Sequence, residues 1–266
     1  MSRFKLYIEY DGTRYSGWQI QKNAQTVQGA ILDAAYKVFQ IQDLEVYGSG
    51  RTDAGVHALQ QIAHLEVRTM LAPEIIRVRL NDELPGDINI IEVEKAAKNF
   101  HARHDAVARS YLYQITRRRT AFGKRYVWWL KEKFDFQKMQ EASKLFVGMK
   151  NLQSFTADDP EEKSTKVLIE EIEMKEAGDL ILIRIYGSHF LWKLVRQIVG
   201  VIVEVGSGKL ALDKVQHYIK IKSNEPAKFS APPSGLFLER VYYQGDQKLQ
   251  KLEPVLSVVT SPHKNL

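Results

Sequence analysis

This chain of 266 residues passes twice through one order of elements, and that repetition excludes most folds. Residues 3–10 alternate apolar and polar side chains, which predicts a strand. Thr26 precedes helical apolar spacing at Val27, Ile31, Ala34, Ala35 and Val38, so a capped helix is expected to Phe39. Leu44 to Tyr47 and His57 to Val67 read as strands. Pro73 opens a helix to about Asn81, Leu84-Pro85-Gly86 breaks it, and Asp87 to Val93 is a further strand. The second half repeats the order. Ala108 to Thr116 predicts a strand, and Asp135 caps a helix to Val147 with Gly148 as its stop. Thr165 to Lys175 and Asp179 to Gly187 predict a hairpin across Ala177-Gly178. Phe190 to Val205 predicts an apolar helix, 211–221 an inserted helix, and Leu236 to Tyr243 a closing strand. The pattern β-α-β-β-α-β, read twice, predicts an α+β chain of two tandem ferredoxin-like lobes with antiparallel-rich sheets. The expected lobes are residues 1–105 and 106–246, followed by a polar, loosely ordered tail at 247–266. A site is expected in the cleft between the lobes.

One loop stands out chemically: Gly48-Ser49-Gly50-Arg51-Thr52-Asp53-Ala54-Gly55-Val56-His57-Ala58. It combines glycines, one carboxylate and an arginine two residues from it. Such a loop can seat a nucleophile. On composition alone turn chemistry is the better account of an Asp among glycines, its side chain bonding nearby N–H groups. The glycine spacing fits neither the dinucleotide fingerprint nor the P-loop.

Charge narrows the partners. The chain carries a net charge of +6. Residues 101–133 hold nine Lys and Arg against Asp105 and Glu132, a local +7. Tyr111, Tyr113, Phe122, Tyr126, Trp128 and Trp129 interleave with these cations. Basic side chains among aromatic rings suit a polyanion with stacking bases. The chain has no cysteine, which excludes disulfides, thiol nucleophiles and thiolate-bound zinc. Its longest apolar run, Ile198 to Val205, is too short to span a membrane, and the first residues lack a signal-peptide pattern. A cytoplasmic protein is expected.

Several distant blocks then coincide with one family. They are Tyr10-Asp11-Gly12 with Gly17-Trp18-Gln19; Gly50 to Ala58; Leu80-Asn81 with Leu84-Pro85; and Phe100-His101-Ala102-Arg103. Arg109 with Tyr111, Phe190-Leu191 with Val195-Arg196 and Val199-Gly200, and Ala231-Pro232-Pro233 with Gly235-Leu236 complete the set. In these blocks, and across nearly its full length, the chain resembles the bacterial tRNA pseudouridine synthase A family. The resemblance implies an isomerase converting uridine to pseudouridine in the tRNA anticodon stem-loop, at positions 38–40. It implies a homodimer and no metal, nucleotide or redox cofactor.

The resemblance also assigns roles. It implies Asp53 as the catalytic carboxylate, acting at C6 of the base, at C1′ or on a 2′ proton, with sugar chemistry at C1′/C2′ favoured. It implies Arg196 as the partner of Asp53. Spacing places Trp192, Val199 and Gly200 on the helix face of Arg196. The resemblance sets the Tyr111 ring against the target base, with its phenol available for proton transfer, and Leu236 on the other face of that base. Arg51 fills the space of a flipped nucleotide or contacts phosphates, and Arg103 and Arg109 bind substrate. His57 and His64 fit neither a metal pair nor a triad, and His101 serves RNA or an inter-lobe contact. The chain departs from the family at His104-Asp105, at 151–162 and at 189–193, which leaves the RNA target open. A non-catalytic RNA-binding protein with two such lobes explains the basic aromatic region too, and a relative modifying a different RNA site is a further alternative.

Overall fold

A computed structural model describes residues 1–158 and 164–256. The chain divides into two compact units. Unit 1 joins Met1–Arg109 to Phe237–Gln247, and unit 2 joins Ser110–Leu236 to the segment from Lys248 onward.

In unit 1, β1 (Ser2–Tyr10) buries Phe4, Leu6, Ile8 and Tyr10, every second residue, as its alternation requires. α1 (Val27–Phe39) starts where Thr26 Oγ1 accepts the Gly29 N–H, and buries Val27, Ile31, Ala34 and Ala35. β2 (Glu45–Gly48) and β3 (His57–Val67) pair antiparallel, with Val46 opposite Leu65. α2 (Pro73–Glu83) turns Ile76 and Leu80 inward, and β4 (Ile88–Ala96) follows it. The Asn81 side chain clamps α2 to β4, accepting the Ile90 N–H at 2.8 Å and donating to the Ile90 carbonyl at 2.9 Å. β1 lies antiparallel between β3 and β4, so the spatial order is β4-β1-β3-β2.

In unit 2, β5 (Ala108–Thr116, in this unit from Ser110 onward) leads through β6 (Trp128–Trp129) to α3 (Phe136–Lys144), capped by Asp135. β7 (Gly148–Asn151), β8 (Lys166–Ala177) and β9 (Leu180–Gly187) continue the sheet in the order β5-β9-β8-β7. β8 and β9 form the expected hairpin, with Ala177 opposite Leu180. α4 (Leu194–Gly206) is buried along most of its length, and α5 (Leu212–Lys220) follows. The last strand, β10 (Leu236–Tyr242), belongs to unit 1 from Phe237 onward and pairs parallel with β3, Phe237 opposite His57. β6 also pairs parallel, with β5, whereas β1 with β3 and β4, β2 with β3, and β8 with β7 and β9 are antiparallel.

Three local expectations need correction. The helix expected from Phe190 begins at Leu194, because Lys193 adopts a left-handed φ of 62°. Trp192 therefore precedes the helix, half exposed, and does not continue the Arg196 face. Gly148 opens strand β7 after three i→i+3 turns from Ala142, Ser143 and Lys144 have tightened the end of α3. The tail lies down on unit 2 as far as Val255. Arg184 donates to the carbonyls of Leu249 and Lys251, Leu252 is buried, and the Val255 N–H donates to Gln114 Oε1 at 2.7 Å. Of the acidic run expected at 158–162, all but Asp158 lies outside the described residues, as does 257–266.

Candidate functional site

The glycine loop leaves β2, where the Ser49 N–H donates to the Ile62 carbonyl. Its far end is held from the segment after β1. The Trp18 N–H donates to the Thr52 carbonyl at 3.1 Å, the Gly55 N–H to the Tyr15 carbonyl at 3.2 Å, and the Val56 N–H to the Asp53 carbonyl at 3.2 Å. Thr52, buried, shares a hydrogen bond with the Tyr10 hydroxyl at 2.8 Å. Gln61, fully buried on β3, accepts from Ser49 Oγ and donates to the Gly50 carbonyl. Gly12 is required on one flank, since a Cβ there would stand 1.9 Å from the Val56 carbonyl oxygen. Asp53 thus sits half-buried between buried Thr52 and exposed Ala54, on a backbone fixed from several sides.

His57 closes the loop as a structural residue. It is buried, its Nδ1 faces the Gly12 N–H at 3.1 Å, and its ring stacks on Phe237 with centroids 4.8 Å apart. The same Nδ1 also stands 3.1 Å from Asp11 Oδ1, so the buried ring joins the Asp11-Gly12 turn to the end of the loop.

Arg51 is exposed, and Gln19 steadies it by accepting from its Nε at 3.1 Å. Gln19 in turn donates to Gln28 of α1, which is buried and also holds the Ile20 N–H and the Val46 carbonyl. Gln28 carries no functional signature in the sequence, because a glutamine on an apolar helix face reads as surface. A shallow, open concavity lies here, lined by Trp18, Gln19, Tyr47, Gly50, Arg51 and Arg103 among others. It brings Arg51 and Arg103 together.

The turn carrying Arg103 is unusually well accounted for. His64 Nδ1 accepts the Ala102 N–H, and His101 Nδ1 accepts those of Arg103 and His104. Asp105 accepts the His101 N–H at 2.8 Å. Arg3 donates to the Phe100 carbonyl and Tyr243 to that of Ala102. Arg109 then ties this turn to the glycine loop, donating to the carbonyls of Arg103 at 3.1 Å and Ser49 at 3.0 Å. His101 is thereby engaged within its own turn, and Asp105, a departure from the family pattern, acts as its cap. Burial, with the Arg3 charge second, pushes the His64 imidazole down to about 4. Burial lowers His101 as well, helped by His104. Neutral rings are the forms that can accept these N–H groups. Among the described residues no group of three or more His, Asp or Glu is placed to hold a metal ion.

In unit 2, Arg196 projects from α4 and its Nε donates to the Ala231 carbonyl at 2.7 Å, while the Ala231 N–H donates to the Arg196 carbonyl at 2.9 Å. This reciprocal clip lays the Ala231-Pro232-Pro233 segment along α4. Gly200, one turn on, permits it: a Cβ there would fall 1.5 Å from the Phe229 carbonyl oxygen. Tyr111 is half-buried on β5, its ring edge-on to Phe190 with centroids 4.8 Å apart. Tyr113, two residues on, is fully buried and donates its hydroxyl to the Pro232 carbonyl at 2.7 Å. Burial raises its phenol well above the usual range, against the opposing effect of the Arg196 charge, so it stays a donor. Leu236 is buried at the end of the same segment. Nothing in the sequence beyond its place beside Leu191 gives Phe190 a role.

The expected residues therefore divide by unit. Asp53, Arg51, Arg103 and Arg109 belong to unit 1, and Tyr111, Arg196 and Leu236 to unit 2.

Comparison with known proteins follows the same residues. A family model described as tRNA pseudouridine synthase matches residues 6–105 and 142–244. The first stretch holds Asp53 and the second Arg196 and Leu236, while Arg109 and Tyr111 fall in the stretch between them. A protein of Thermodesulfovibrio yellowstonii named tRNA pseudouridine synthase A is 36% identical over 255 residues, 91% of this chain and all of that protein. A protein of the same name from Rhodopseudomonas palustris is 38% identical over 247 residues, 92% of this chain and all of its own length. A third, from Levilactobacillus brevis, is 35% identical over 252 residues, 92% of this chain and 95% of its own.

Proposed function

This chain belongs to the tRNA pseudouridine synthase family and is an isomerase acting on tRNA uridine, and we propose that its target lies in the anticodon stem-loop, at positions 38–40, with Asp53 as the catalytic carboxylate. The observation that carries the assignment of Asp53 is its seat. It is the one carboxylate of the glycine loop, half-buried on a backbone held by Trp18, Tyr15, Gln61 and Arg109. A group that attacks carbon or removes a proton gains from such fixed placement.

The isomerisation is balanced without any second reactant. The C1′–N1 bond breaks, the uracil turns, a C1′–C5 bond forms, C5 loses its proton and N1 gains one. The target base has to leave its stack to be reached. In this reading Asp53 acts on the sugar at C1′/C2′, and Tyr111 presents its ring to the base and its phenol for proton transfer. Arg196 serves Asp53 as counter-charge, and Leu236 contacts the base. Arg51 and Arg103 meet the RNA backbone. Arg109 contributes by positioning the glycine loop, since its guanidinium reaches the Ser49, Arg103 and Ala106 carbonyls.

Each unit is read as a ferredoxin-like lobe. The β-α-β-β-α-β order of unit 1 and its β4-β1-β3-β2 spatial order support this. The reading includes a cytoplasmic homodimer. No helix among the described residues is long and apolar enough to cross a membrane.

The test is tritium release from tRNA labelled at uridine C5, comparing wild type with Asp53→Asn. Release by the wild type and none by the variant, with tRNA still bound, is expected. Undiminished release by Asp53→Asn would remove Asp53 from the chemistry. Binding without release by either protein would favour a non-catalytic RNA-binding protein or a different RNA site.

A further inference from the structure

Unit 2 carries a second feature that the isomerisation leaves unused. Between β5 and α3 the chain runs out through residues 117–133, and at its tip Phe122 is 90% exposed. Isolated exposed apolar side chains are ordinary. Here, however, the backbone holding the ring is built. Thr120 Oγ1 donates to the Phe122 carbonyl at 2.7 Å, Gly123 takes a left-handed φ of 72°, and the Tyr126 N–H returns to the Gly123 carbonyl at 2.9 Å. Lower in the loop, Arg119 lies over the half-exposed Trp129, 5.8 Å from the ring centroid.

The surrounding charge is one-sided once the pairs are removed. Arg117 pairs with Glu176 and Arg118 with Asp179, while Glu132, the one acid of the loop, pairs with Lys209. Arg119, Lys124, Lys131 and Lys133 are exposed, and among the described residues no carboxylate lies within ion-pair distance of them. A protein partner would call for a contiguous apolar patch at its centre. Single rings set among exposed cations match the needs of stacked bases and phosphates instead.

We propose that the 117–133 loop is a second RNA-binding surface, in which Phe122 stacks on an unpaired base and Arg119, Lys124, Lys131 and Lys133 meet the neighbouring phosphates. The inference rests on tRNA being the substrate and adds a contact outside the residues assigned to the target nucleotide. It makes the ring, not apolar bulk, the quantity that matters at position 122.

The experiment measures tRNA binding directly, by fluorescence anisotropy with labelled tRNA, and KM by C5 tritium release. Phe122→Leu should weaken binding and raise KM by about tenfold, and Phe122→Trp should retain both near the wild-type value. Lys124→Ala with Lys131→Ala should lower the slope of log affinity against log salt by about two. Exposure of all three side chains makes misfolding no explanation for a loss, and a thermal melt of each variant checks this. If Phe122→Leu binds tRNA like the wild type, the proposal falls and a protein partner becomes the occupant of the tip. If the wild type binds tRNA without turnover, the isomerase reading falls, and the comparison of Phe122→Leu with Phe122→Trp still decides the tip.

Discussion

The glycine loop at 48–58 and the basic loop at 117–133 are both connections, and they differ in how much of each is fastened. Most of the first is fastened by main-chain bonds to buried neighbours, and Gly12 beside it has no room for a methyl group. The second is tied to the sheet at its base, where Trp128 of β6 lies opposite Ile115 and the Leu130 N–H donates to the Thr116 carbonyl; its tip is held by short turns, and Arg117 and Arg118 pair at the surface with Glu176 and Asp179. The difference fits the role proposed for each. A reacting carboxylate has to be placed to within a fraction of an ångström. Phosphate contacts and base stacking tolerate looser placement, because charge acts over several ångströms and every base has a face to stack on.

This contrast can be broken. Gly12→Ala forces its Cβ against the Val56 carbonyl, backbone against backbone, so stability should fall by about 3 kcal/mol and C5 tritium release should fall with it. Gly50→Ala is the control within the loop itself: nothing lies within 4 Å of its added Cβ, and its melt should stay within about 0.5 kcal/mol of wild type. Equal losses from both would mean the loop is not held at the points named here. The turn behind the loop supplies a pH test. The imidazole of His64, buried and lowered to about 4, is neutral when folded, so its stabilising contribution is complete above 6.5 and is lost as pH falls towards 4. The loss should reach at most about 3 kcal/mol in denaturant melts. His64→Asn, which offers an amide oxygen in place of Nδ1, should flatten that part of the pH profile. The smallest effect belongs to the basic loop. Glu176→Ala removes the exposed partner of Arg117 and should change stability by about 0.5 kcal/mol or less, with the change vanishing at high salt.

The signals that were legible in the sequence act over a few residues. The alternation of β1, the Thr26 and Asp135 caps and the turn at Ala177-Gly178 each place an element to within a few residues of its observed ends. The helix start at Leu194 was not legible, because nothing at Lys193 announces a left-handed backbone, and β7 was hidden behind a glycine that reads as a helix stop.

The candidate site divides along the same line. The order of the longer elements, the absence of thiol chemistry, the basic aromatic region and Asp53 within its glycine loop were determined by the sequence alone, since composition, periodicity and short motifs are local properties. Only the tertiary structure decided that β10 returns to pair parallel with β3, that Gln28 steadies Arg51 through Gln19, that Arg109 holds carbonyls at Ser49 and Arg103, and that Ala231 clips to Arg196. Most of these join residues tens of positions apart through backbone groups that every residue carries. A main-chain carbonyl looks the same in any sequence, so its partner is set by where the folded chain brings a donor.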